Sequence, residues 1–191
     1  MSLINKVHNL KKGNVTTLWL GGLPIFILIF LFTGNLVMVW LSHSNSQMAG
    51  DSGSLAATKK LDQWVKSEYN SRMQAIIRQN EGKLPGDPGY RDPYFTLFGT
   101  DEKKDAFIRG VIQKHKGDLA SYTRKYVKKS GGDSKGVIIF SPDGRAQVRA
   151  QTKFVPLVFE EYFDVLYVKG GGVGPKRDYL TWLFKKERIE Y

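Results

Sequence analysis

Residues able to do chemistry are few in this chain and widely spaced. The three histidines, His8, His43 and His115, stand alone, and no pair has the spacing of metal ligands. There is no cysteine, which excludes disulfides, thiol nucleophiles and thiolate metal sites. Glu160, Glu161 and Asp164 form the one acidic cluster. Paired carboxylates can do glycosidic acid–base work, but a solvated strand end or a salt-bridged face is the plainer reading. Asp87, Asp92 and Asp101 are scattered among prolines, without the order of a calcium loop. The glycine-rich residues 170–174, followed by Pro175, Lys176 and Arg177, lack the G-x-x-x-x-G-K-[ST] spacing and the following helix of a phosphate loop. They read as a mobile turn between strands. Together these features point away from an enzyme and imply no cofactor.

One stretch has the composition of a binding surface. Residues 114–129 carry Lys114, Lys116, Arg124, Lys125, Lys128 and Lys129, interleaved with Tyr122 and Tyr126. Aromatics among lysines can hold single-stranded nucleic acid. Outside a cell the available polyanions are teichoic acid, anionic lipid head groups and extracellular DNA. The alternative is the solvated face of an ordinary helix. A formal net charge of +11 and a pI near 9.7 favour anionic partners in general, and nothing indicates a specific nucleic acid.

The elements that must position these residues start with an anchor. Between Lys12 and Asp51 there is no Asp, Glu, Lys or Arg, and residues 18–41 form an apolar run of 24. About 20 residues cross a hydrocarbon core. Trp19 and Trp40 lie 21 positions apart, about 32 Å along a helix, which places one indole in each interfacial belt. Lys6, Lys11 and Lys12 precede the run and an uncharged polar stretch follows it. The positive flank predicts a cytoplasmic tail at residues 1–17, a membrane helix at 18–41 and everything beyond outside the cytoplasm. The apolar run is too long for a cleaved signal peptide, so it reads as a signal anchor.

Beyond the membrane, Leu55, Leu61, Val65, Tyr69, Met73 and Ile76 recur mostly four apart, predicting an amphipathic helix within residues 42–82 that continues outward from the membrane helix after a brief polar segment. Gly82 supplies its stop. Residues 83–191 then form the main domain. A Gly/Pro-rich loop comes first, pinned by Tyr90, Tyr94, Phe95 and Phe98. Residues 101–129 are helical, broken at Gly117-Asp118 with Asp118 as N-cap. From residue 137 the pattern turns to β. A hairpin closes on Ser-Pro-Asp-Gly at 141–144, with strands at 137–140 and 146–155. A further strand at 163–168 ends at the glycine run, and residues 178–191 supply a last strand or short helix. The fold class is α+β: an N-terminal transmembrane helix, an extracytoplasmic helix, further helices and a small antiparallel sheet.

The residues at the join have a counterpart in a known family. Lys11-Lys12-Gly13-Asn14, the apolar helix, and then Gln47, Ala49, Asp51, Ser54, Leu55, Ala56 and Ala57 resemble the start of TadE/TadG-like proteins of tight-adherence (Flp) pilus assembly. That family has a small-residue run of the type Q-x-A-A-D-A-A-A-L-A-A after its membrane helix. Gly50, Ser52 and Gly53 depart from the run, and each glycine costs up to about 1 kcal/mol of helix. The fifth residue after Gly13 is Leu18, where the family's processed, pilin-like members carry glutamate. The chain is therefore similar to the unprocessed TadG-type members. The resemblance implies a non-enzymatic role in pilus assembly, with membrane or pilus-assembly proteins as partners. Small residues at Ala49, Gly50, Gly53, Ala56 and Ala57, beside Gln47, allow close approach by a partner helix or by the chain's own domain.

Overall fold

The computed structural model describes residues 15–158 and 166–191. The fold is α+β, and one helix dominates it. α1 runs without interruption from Val15 to Gln79, 65 residues. The apolar helix continues into the second helix as expected, and the brief polar segment after residue 41 is itself helical, its residues small enough to fit beneath the sheet. Ser42 and Ser46 are buried, and the Ser46 hydroxyl donates to the Ala150 carbonyl at 3.2 Å. Pro24 lies inside the helix. The first half of α1 is long and apolar enough to cross a membrane and is almost wholly uncovered. Trp19 and Trp40 are exposed at its two ends.

The second half of α1 carries the head. Its buried stripe is Ala49, Gly53, Ala57 and Leu61, while Leu55 points outward and is 59% exposed. The hydrophobic periodicity placed Leu55 on the packed face; the close approach of the sheet gives that place to small residues instead.

After α1, Gly82 takes positive φ in the turn that ends it, and Asn80 ties the following loop back. Its amide donates to the Arg91 carbonyl at 2.6 Å and its carbonyl accepts from the Arg91 amide at 3.0 Å. The loop contains α2 (Pro93–Phe98), started by proline and capped by the Asp92 carboxylate. Phe98 alone is its deep pin, in ring contact with Tyr69, Phe107 and Trp182. Phe95 and Tyr94 are exposed. α3 (Asp101–Lys114) is capped by the Thr100 hydroxyl, and α4 (Lys116–Lys129) follows. The break falls at His115, and Asp118 lies in the first turn of α4 with no capping bond from its N-cap position. His115 stacks on Trp64 of α1 with ring centroids 4.3 Å apart and planes 3° from parallel. That contact, rather than glycine, fixes where α3 ends.

The sheet has strand order β3-β2-β1-β4, all antiparallel: β1 (Val137–Ser141), β2 (Arg145–Lys153), β3 (Tyr167–Val173) and β4 (Glu187–Glu190). The hairpin turn is where Ser-Pro-Asp-Gly places it, with Gly144 at φ 86°. The tail holds both expected forms, a 3₁₀ turn (Asp178–Trp182) and β4. Ile138, Phe140, Ala146, Val148 and Ile189 face α1, α3 and α4 and close the core with Ile108, Ile112, Leu119 and Val127. Two carboxylates, Asp62 half-buried and Asp105 buried, tie elements together. Asp62 accepts from Arg177 at 2.9 Å and from the Tyr179 hydroxyl at 2.6 Å, and Asp105 accepts from the Phe184 amide at 2.8 Å.

Candidate functional site

Three places on this frame have distinctive chemistry. The first is the seam between α1 and β3. The glycine run does not end the strand, as its composition predicts, and it is not a mobile turn: residues 170–172 lie within β3. A Cβ on Gly170 would sit 2.5 Å from the Ser46 carbonyl carbon, one on Gly172 would strike the Gly50–Asp51 backbone, and one on Gly50 would strike Gly172. Strand and helix backbones meet at glycines of the strand, and at Gly50 and Gly172 neither side carries a side chain. Gly174 closes the run, its amide donating to the Ala146 carbonyl at 2.7 Å. No phosphate-loop helix follows; the next element is the 3₁₀ turn.

This seam accounts for the small-residue face. Ala49, Gly50, Gly53, Ala56 and Ala57 are all buried, and Gly53 faces Val127 of α4 and Val148 of β2. With the chain's own sheet and α4 on this face there is no room for a second helix. Gln47 is the exception: it is exposed, and its amide nitrogen lies 3.1 Å from Nε2 of His43.

The second place is the basic surface of α4. The structure divides the six predicted cations. Lys114 turns to Glu68 of α1 at 2.9 Å, and Arg124 donates to the Ser134 carbonyl at 3.2 Å. Lys116, Lys125, Lys128 and Lys129 are exposed. Lys59 and Lys60 of α1, absent from the sequence-based patch, complete it. Lys60 stands over the rings of both Trp64, at 5.2 Å, and Tyr122, at 5.6 Å. The Tyr122 hydroxyl donates to that of Tyr126 at 3.3 Å. This bond, with the nearby charges of Lys125, Lys129 and Lys59, holds the Tyr126 phenol below its ordinary pKa. Lys60, Trp64, Asp118, Ser121, Tyr122 and Lys125 line an open groove of about 470 Å³. Only helix–helix packing joins these residues, so spacing within one segment could not reveal the α1 half.

The third place is the end of the head nearest the apolar half of α1. The amide of Leu157, just beyond β2, donates to Oδ1 of Asn35 at 2.9 Å. Chain between β2 and β3 thus reaches back along the apolar half of α1. An apolar groove of about 440 Å³ lies there, and a basic cavity of about 500 Å³ lies one to two turns of α1 further out. Nothing in the sequence singled out Asn35 or Leu157.

The acidic cluster Glu160, Glu161 and Asp164, and His8, lie outside the described residues, as does the first half of the strand expected at 163–168. Among the described residues no group of three His, Asp or Glu side chains is placed to hold a metal ion. His115, besides its stacking, has Nδ1 3.9 Å from Asp118. Compared with known proteins, the chain matches no family model, no curated protein and no solved structure.

Proposed function

We propose that this chain is a membrane-anchored accessory or minor-pilin-like component of a tight-adherence-type pilus assembly system, working by protein–protein contact rather than catalysis. The observation that carries the reading is the division of α1. One half is bare and apolar over membrane thickness, and the other half, with no joint between, bears a folded head. Such a helix can pack among other helices in a bilayer or a fibre core while the head stands outside. Lys6, Lys11 and Lys12 orient the N-terminus to the cytoplasm. Because the small-residue face is filled by the sheet, the docking surface moves to the opposite side of α1, where Met48 and Leu55 are exposed, and to the bare half.

Deleting the gene in the producing organism is expected to remove surface fibres. The wild-type gene restores them, and Leu55→Arg does not, although that variant stays in the membrane at the wild-type level. Undiminished fibres in the deletion strain overturn the proposal.

A second reading, an extracytoplasmic binding module for anionic wall polymer, is favoured by the groove that places Lys60 and Lys125 beside Trp64 and Tyr122. The full-length protein in detergent would then bind teichoic acid in a salt-dependent manner. Lys60→Glu with Lys125→Glu would weaken that binding about tenfold, as loss of roughly 1.4 kcal/mol of attraction implies. Equal binding to a neutral polysaccharide contradicts this reading.

A further inference from the structure

The apolar groove and the basic cavity near the apolar half of α1 lie along one stripe of that helix. Phe32, Leu36 and Val39 line the groove and His43 and Gln47 line the cavity, a run of three- and four-residue steps that keeps one helical face. From Leu36 to residue 45 is about 13 Å along the axis, comparable to the distance from the upper acyl chain of a phospholipid to its phosphate. The groove is closed on its other side by Phe154, Pro156 and Leu166. Near it Val155, Leu157, Leu166 and Tyr167 are all substantially exposed, a contiguous apolar patch that water does not favour.

The depth of this patch follows from Trp40. If that indole marks the interface, Asn35 lies about 7.5 Å nearer the bilayer centre. A loop amide at that depth would lack a partner in hydrocarbon, and the Asn35 side chain supplies one to Leu157. This accounts for an asparagine inside an otherwise apolar span.

Above the groove, the cavity is lined by Lys135, Arg149 and Lys169 around residues 170–171, with no carboxylate among the described lining residues. Asp133, the nearest described acid in sequence, accepts from Gln151 and Ser134 and offsets part of the charge of Lys135, which leaves Arg149 and Lys169 as the main anion contacts. Three cations at head-group height, over an apolar slot at acyl height, match the two ends of one molecule. We propose that the chain binds an anionic glycerophospholipid between α1 and the β2–β3 end of its head, acyl chain in the groove and phosphate in the cavity. The site rests on the reading of α1 as a membrane span. Glu160, Glu161 and Asp164 lie outside the described residues.

The natural absence of cysteine gives a clean test. Full-length protein carrying Leu157→Cys, labelled with a polarity-sensitive dye, is reconstituted in phosphatidylcholine nanodiscs with and without phosphatidylglycerol. Nitroxide-labelled acyl chains should quench the dye. Native mass spectrometry of the unlabelled protein should show phosphatidylglycerol retained over phosphatidylcholine. Arg149→Glu with Lys169→Glu, both exposed side chains, should lower that preference about tenfold, with head folding checked by circular dichroism. Lys169→Gln alone should lower it less. A dye open to aqueous quenchers, or equal retention of the two lipids, overturns the proposal while leaving the anchor in place. Failure of the chain to enter discs at all overturns the anchor reading and this site with it. A dye buried against a second protein copy, with no lipid retained, also overturns it.

Discussion

Gly171 and Gly172 are adjacent, yet the two positions differ sharply in what they tolerate. A methyl group at Gly171 would have the Val148 carbonyl oxygen 3.6 Å away, an ordinary contact, whereas one at Gly172 would collide with the backbone of α1. Gly172→Ala is expected to lower stability by about 1–3 kcal/mol or more. Gly171→Ala should be neutral or stabilising by up to about 1 kcal/mol. Thermal unfolding followed by near-UV circular dichroism in detergent measures both. The glycine run was plain in the sequence; which glycines were indispensable was not, because that depends on a helix more than 100 residues earlier in the chain. Glu68 makes a different residue-scale prediction. Hydrogen bonds from Lys114 and Arg72 hold its carboxyl below the usual glutamate pKa. The folded state therefore binds that proton less readily than the unfolded state. The stabilisation is present above the ordinary glutamate value near pH 4.3 and is lost as pH falls through the lower folded value. Both cationic partners are well exposed, so Glu68→Gln should cost less than about 1 kcal/mol at neutral pH. Urea midpoints of wild type and variant should converge in acid.

Helices and strands were legible in unequal measure. The apolar span, the hairpin at residues 141–144 and the paired helices after residue 100 follow from local pattern, because their signals lie within each segment. The continuation of the apolar helix into the second was also expected, but the helical state of the polar segment between them does not follow from local pattern. Ser42 to Ser46 has the composition of a linker, and only the sheet above it, through contacts such as Ser46 to Ala150, turns it into packed helix. Half of the basic groove was hidden for the same reason, since Lys60 and Trp64 meet Tyr122 only when α1 and α4 pack. A single alanine inserted between Trp40 and Leu41 tests this continuity. It should turn the head by about 100° and raise it about 1.5 Å relative to the span. The seam lies beyond the insertion, so the head's melting should be unchanged. The Asn35–Leu157 bond should be lost, and a dye at position 157 should lose its quenching by lipid nitroxides.

The whole molecule is a long rod with a head fixed along its outer half. If the span and its orientation are as proposed, carbonate washing should leave the full-length chain in the membrane fraction, and protease added to spheroplasts should remove a C-terminal tag. An intact tag would reverse the orientation. The long apolar helix and the α+β class were readable from composition and periodicity alone. The occupant of the small-residue face was not, because a face able to receive a foreign helix has the same composition as one that receives its own sheet. The unbroken course of α1 also has a mechanical consequence. The head grips the helix along a line nearly parallel to its axis, where β3 crosses Ser46 to Asp51. A pull directed outward from the membrane would load those contacts in shear, many at once, instead of peeling them in turn. With no pliant joint between the head and the apolar half of α1, the tension would pass straight into that half.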